Sequence, residues 1–244
     1  MNLLEKNLNN INLRTKDLVH MSKRILQNNI IPNNNHLLLE LIANPVNLIN
    51  NNKIWVDKSQ NSPLTLTNIT YSDGALILNG VNSEINTNIP QADLVKGYTI
   101  GVRFYSEDWS NYRGLWGIHT GSNLGLLGLQ ANASAPGMGI SHHGGYCLNI
   151  PYAKLLVNHW HTVIFTYSVM EDSIAVVNGT EFERSRAFTK LNPTGNLLIG
   201  RGYNHETRYF KGKLSHFILY NRTMNVEEMF ELENYIKSTI YEVV

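Results

Sequence analysis

The chain has 244 residues, with 20 Lys and Arg against 19 Asp and Glu, a formal net charge of +1 and 16% charged residues. That balance, with no basic stripe, excludes the electrostatic footprint of a nucleic-acid binder. The single cysteine, Cys147, excludes an internal disulfide framework, and no apolar run reaches the roughly 18 residues of a membrane span.

The N-terminal sequence MNLLEKNLNNINLRTK has no apolar h-region and no small-residue cleavage site, so no secretory signal is expected. Synthesis in a cytoplasm fits the cysteine usage. Leu4, Leu8, Ile11, Leu18 and Ile25 follow a four-three spacing, with Thr15 and Ser22 in the two polar slots. The spacing predicts a helix with a heptad-like seam over residues 1–36, ended at Pro32. It reads either as a surface helix on its own domain or as an assembly helix. Residues 37–53, which begin LLLELIANPVNLIN, read as an apolar connector divided by Pro45, a short helix followed by an extended segment.

Strand signals begin at Ile54 and run to the C-terminal helix. TLTNIT and ALILNG flank Ser72, Asp73 and Gly74 as a hairpin. In GYTIGVRFY, Tyr98, Ile100, Val102 and Phe104 share one face. GLWGI and LGLLGLQ are strands punctuated by glycine, a mark of bulges or curvature. HTVIFTY alternates around Val163 and Phe165, with Trp160 read as a core anchor. Asn178-Gly179 is the strongest two-residue hairpin signal in the chain. KLSHFILY is apolar on both faces, as a central strand is. Asn225 and Glu228 form a capping box for a closing helix whose buried stripe is Met229, Phe230, Leu232 and Ile236. At least ten short strands and little helix predict an all-β antiparallel sandwich over residues 54–244, with an N-terminal helical extension and a short C-terminal helix.

Five segments in this order carry a resemblance. They are the Trp55, Asp57, Ser59, Asn61 entry, LILNGVNSEI, NHWHTVIFTY, VVNGTEF, and LLIGRG followed by YFKGKLSHFILYNRTMNVEEM. The stretch of about 54–238 resembles the laminin-G-like, concanavalin-A-like jelly-roll family of lectins and glucanases. Two departures are that Asn79 stands where the family usually has Asp and that no tyrosine follows it. The resemblance implies that Trp55 and Trp160 fill core, that Asp57 and Ser59 tie down a turn, and that Asn178-Gly179 supplies positive φ. It also implies a fold that binds.

Chemistry is harder to find. Glycan-hydrolysing jelly rolls alternate carboxylates along one strand, which places them on one face as acid and nucleophile. No such strand occurs here: Glu181 and Glu183 sit at a hairpin rim, and Glu227, Glu228, Glu231 and Glu233 lie on the last helix. The chain is therefore expected not to be an enzyme. His142 and His143, near His119 and Cys147, lack the spacing of a zinc site. A calcium ion held by loop oxygens would take Glu107, Asp108 and Asp172 as ligands. Two polar loops supply recognition candidates: Trp109, Tyr112 and Arg113 in one, Tyr203, Asn204 and His205 in the other, with His142 and His143 added from SHHGGY.

The leading expectation is a virion structural or attachment protein of a bacteriophage-like particle, a fibre, decoration or baseplate component. In it the N-terminal segment grips other virion proteins or copies of itself, and the sandwich meets a glycan or protein. Its grounds are the missing secretion signal, the missing disulfides and the plan of anchor plus sandwich. The alternative is a soluble carbohydrate-binding lectin, with a glycan hydrolase third.

Overall fold

The computed structural model describes residues 31, 34–44, 48–49, 54–56, 63–110, 113–118, 126–132, 137–142, 145–168, 172–186, 195–202 and 208–240. The helical segment expected over residues 1–36, with Leu4, Leu8, Ile11, Leu18 and Ile25, lies outside them apart from Ile31 and a single 3-10 turn, Asn34–His36. Asp57 and Ser59 also lie outside them. No helix among the described residues is long and apolar enough to cross a membrane.

Strands dominate the described residues, and they form the expected antiparallel two-sheet sandwich. The first sheet has eight strands: β1 (Leu37–Ile42), β5 (Ile69–Ser72), β6 (Ala75–Asn79), β8 (Gly97–Asp108), β13 (Trp160–Ser168), β14 (Asp172–Val177), β15 (Thr180–Arg186) and β17 (Lys211–Tyr220). Their order is β15-β14-β13-β8-β17-β6-β5, with β1 also on β17. The second sheet has nine strands: β2 (Leu48–Ile49), β3 (Ile54–Val56), β4 (Pro63–Thr67), β7 (Glu84–Pro90), β9 (Trp116–Ile118), β10 (Leu126–Asn132), β11 (Gly137–His142), β12 (Gly145–Pro151) and β16 (Asn196–Ile199). It runs β12-β11-β10-β9-β16-β7-β4-β3-β2. The chain crosses between sheets at Asn68, whose φ of 51° turns the corner from β4 to β5.

Residues 37–42 correct the expectation of a connector helix. The reason is the edge of β17. Its first half, Lys211–Leu214, pairs with β6, while its second half, His216–Tyr220, pairs with β1. Leu39 and Leu41 then point into the core and are fully buried. An apolar run satisfies a helix or a strand equally well in isolation; the unfilled half of the β17 edge decides it.

The core lies between the sheets. Leu76, Leu78, Tyr98, Ile100, Val102, Phe104, Val163 and Phe165 face Leu64, Leu66, Ile85, Trp116, Leu148, Ile150, Leu197 and Ile199. A second apolar layer covers part of the outer face of the first sheet. There α1 (Val226–Ser238) lays Met229, Leu232, Tyr235 and Ile236 on Ile164, Val176, Ile218 and Tyr220. The capping box forms: Asn225 Oδ1 accepts from Glu228 N at 2.9 Å, and Glu228 Oε2 accepts from Asn225 N at 3.0 Å. Gly101 lets the helix approach, because a Cβ there would stand 3.0 Å from both Ile236 and Leu232 side chains. Two details differ from the expected stripe. Phe230 is only partly buried, and Glu233, outside that stripe, is 1% exposed and paired with Lys237 at 2.9 Å. At the other end of the sheet, Asn178 and Gly179 take φ of 51° and 82° and close the β14–β15 hairpin.

Candidate functional site

Two residues of the first expected recognition loop are structural. Trp109 follows β8 and turns inward, 8% exposed. Its Nε1 donates to Leu155 O at 3.1 Å, and its ring meets Phe104 and Phe210 with centroids 5.8 and 5.7 Å away. It plugs one end of the core. Asp108 makes the turn that sends it there, accepting from Ser110 N and Ser110 Oγ, each at 2.7 Å. Arg113 is equally committed. Its Nε donates to Asp108 Oδ2 at 3.0 Å, and its Nη1 donates to Gly80 O at 2.6 Å and Tyr209 O at 2.7 Å. This guanidinium ties together the β6–β7 turn, the end of β8 and the approach to β17. Tyr112, His143, Tyr203, Asn204 and His205 lie outside the described residues, and of His142 only its place at the end of β11 is described.

The calcium candidates do not converge. Glu107 and Asp108 end β8. Asp172 begins β14, and the ladder carries it to the Gly97 end of β8, since Thr166 pairs with Ile174 and Ser168 with Gly97. A strand of 12 residues separates those ends, about 35 Å at the usual rise. Asp108 is already saturated. Burial alone would raise its pKa, but the bonds from Ser110 and Arg113 outweigh that and hold it below the ordinary carboxylate value. Among the described residues no group of three or more His, Cys, Asp or Glu is placed to hold a metal ion.

A different cluster forms on the outer face of the first sheet, beside α1. Strand alternation sends Tyr98, Ile100, Val102 and Phe104 inward, and therefore Arg103 and Tyr105 outward. The same parity on β13 puts Val163 and Phe165 inside and Trp160 outside, half-buried. This corrects the expectation that Trp160 fills core. In register, Tyr105 lies between Trp160 on one side and Lys213 on the other. The Tyr105 and Trp160 rings meet edge to face at 5.8 Å. The Arg103 guanidinium lies over Trp160, 5.0 Å from its centroid, and Lys213 Nζ lies 5.3 Å from that of Tyr105. Two half-open aromatic rings thus carry two cations.

The loop that borders this platform is held firmly. Asn158, at φ 62°, donates its N–H to Ser106 O at 2.7 Å, and its Oδ1 stands 3.5 Å from Tyr105 Oη. Beneath it, His161 Nε2 donates to Leu156 O at 2.9 Å, and Asn178 Nδ2 donates to His161 Nδ1 at 2.9 Å. That pattern requires the neutral Nε2–H imidazole. Burial pushes the His161 pKa down; the bond to Leu156 opposes this, and the charges of His159 and Arg103 add to it. Leu156 and Val157 remain 50% and 42% exposed beside the platform.

The motifs assign Trp160 to the core and leave Arg103 and Tyr105 without a role, yet a signal for the outer face existed. Two-residue parity counted back from Val163 places Trp160 outside, and counted along β8 it places Arg103 and Tyr105 on that same face.

Comparison with known proteins identifies the fold independently. A laminin-G-like family model, described as the concanavalin A-like lectin/glucanases superfamily, matches residues 79–229, more than half of the chain. No curated protein matches significantly. Among solved structures, domain 4 of AbnA, a GH43 extracellular arabinanase from Geobacillus stearothermophilus in complex with arabinotriose, is similar at a TM-score of 0.63 and 17% identity, over 81% of this chain and 98% of that one. Trypanosoma rangeli sialidase in complex with sialic acid is similar at 0.65 and 15% identity, over 93% of this chain but 39% of the sialidase. The binding domain of Botulinum neurotoxin DC in complex with rat synaptotagmin II gives 0.61 and 12% identity, over 84% and 52%. The chain thus spans well under half of the sialidase. These likenesses correct the expectation of a chain that is not an enzyme. The same sandwich occurs in an arabinanase and a sialidase, so its presence gives no ground for denying activity. At these identities the likeness shows the fold and does not by itself prove activity. It is a lectin- and glucanase-like sandwich, a fold that binds carbohydrate or protein.

Proposed function

Because this chain belongs to the concanavalin A-like lectin/glucanases superfamily, we propose that it is a carbohydrate-binding module whose contact surface is the outer-face platform of Trp160, Tyr105, Arg103 and Lys213. The observation that carries the reading is the pair of half-open rings, Trp160 and Tyr105, locked edge to face at 5.8 Å on a rigid strand pair. Aromatic faces offer a sugar ring apolar contact, and neighbouring donors offer its hydroxyls direction. The arabinanase domain with the same fold was solved with arabinotriose, which supports a saccharide as the ligand class.

A glycan array probed with the full chain and with Trp160→Ala tests this. Binding that the substitution removes is the expected result. An array silent to the wild-type chain overturns it. The assembly role expected for Leu4, Leu8, Ile11, Leu18 and Ile25, self-association or a seat on a virion, is a separate proposal resting on their spacing alone. Light scattering that finds only monomer at all concentrations counts against self-association.

A further inference from the structure

Among the described residues, the two cations of the platform have no acidic partner. Among the described residues, the five N–H donors of Arg103 make no hydrogen bond to a protein acceptor, and neither Arg103 nor Lys213 joins an ion pair. Other arginines of the described structure behave differently: Arg113, Arg201 and Arg222 each hold a carboxylate. Half-burial costs the Arg103 charge its solvation, and desolvation draws its pKa down. The nearest acidic side chain along the same face of β8 is Glu107, two residues beyond Tyr105, and it is engaged by Lys211 at 3.6 Å. The guanidinium carbon lies over Trp160, 5.0 Å from its centroid, and among the described residues its donors have no protein acceptor.

We infer that the ligand of this platform is an acidic saccharide, with a sugar carboxylate received by Arg103 and Lys213 while the ring lies against Trp160 and Tyr105. This rests on the carbohydrate reading and narrows it. A guanidinium edge matches the two oxygens of a planar carboxylate, and Lys213, on the neighbouring strand, adds a point charge on the far side of Tyr105. A neutral sugar leaves both cations uncompensated. An acidic one supplies the missing partner at the position where water is already partly excluded.

Isothermal titration of the full chain with three oligosaccharides of equal length tests the assignment: an oligogalacturonate, a neutral oligogalactan and a sulfated oligogalactan that carries no carboxylate. The expected result is that the galacturonate binds most tightly. Arg103→Gln weakens that binding about tenfold, as loss of a charged hydrogen bond does, and weakens galactan binding clearly less. Lys213→Gln gives a smaller loss, and Trp160→Ala removes binding of both. Melting temperatures of the variants close to wild type confirm that the fold is intact. Equal binding of galacturonate and galactan, still lost in Trp160→Ala, overturns the acidic assignment and leaves the carbohydrate reading standing. Preference for the sulfated fragment over galacturonate overturns the carboxylate. Absence of binding by all three overturns the parent reading and this assignment with it.

Discussion

Replacing Arg113 by Ala separates a structural arginine from a recognition arginine. In the folded chain its Nη1 holds Gly80 O at 2.6 Å and Tyr209 O at 2.7 Å. The side chain is only 14% exposed, so water replaces it poorly. Each bond from a charged donor contributes about 1.5–3 kcal/mol. The pair with Asp108 adds little, because that carboxylate is 34% exposed. Allowing for partial rehydration of the two carbonyls, the expected loss is about 3 kcal/mol. For a chain of this size that lowers the melting temperature by roughly 6–12 °C. Circular dichroism melts of wild type, Arg113→Ala and Arg113→Lys measure it, with the lysine variant falling between the others because it lacks the fork. Saccharide affinity, measured well below the transition, stays at the wild-type level. A melting temperature for Arg113→Ala within about 2 °C of wild type, or a loss of affinity in a fully folded variant, refutes the assignment of Arg113 to the clasp.

Other outcomes follow from the same structure. Trp109→Ala empties the end of the core and removes the bond to Leu155, and it is expected to cost about 3–5 kcal/mol in urea unfolding. Trp160→Ala, on the outer face, costs clearly less than Trp109→Ala in that assay while abolishing glycan binding. Because burial depresses His161, the unfolded chain binds a proton near the ordinary pKa of 6.5 that the folded chain refuses. Stability therefore falls as pH drops below about 6.5, a slope that urea midpoints between pH 7.5 and about 5 reveal and that His161→Asn reduces. Asp108 and Glu228, both held below their ordinary values, act in a lower window, and their contribution is lost as pH falls below the usual carboxylate range near 4. Asn225→Ala breaks the capping box and lowers stability by about 1 kcal/mol.

Most of the sandwich was legible because local chemistry and tertiary demand agree there. Asn178-Gly179 announces a hairpin and forms one; KLSHFILY is apolar on both faces because α1 covers one and the core the other; Asn225 and Glu228 cap as written. Residues 37–42 were not legible, since nothing local to LLLELI tells that half a strand edge waits at His216–Tyr220, far along the chain. The candidate surface was missed for a related reason. A tryptophan beside Asp, Ser and Asn looks wet, and one inside an alternating strand looks dry. Trp109 follows the first turn into the core, whereas the parity of β13 turns Trp160 out. Side-chain direction, set by the pleat, overrode the polarity of the neighbours.

The shared border of β17 has a consequence for how this chain meets copies of itself. Leu37–Ile42 is joined to the remainder through pairing with His216–Tyr220 and through Tyr235, whose hydroxyl donates to Glu40 Oε1. Losing that leading ribbon to a protease would strip the sheet of its cover over five residues and bare Leu219 and Ile218 at their margin. A truncated molecule would then present an unpaired strand edge to which an extended segment of another chain could add.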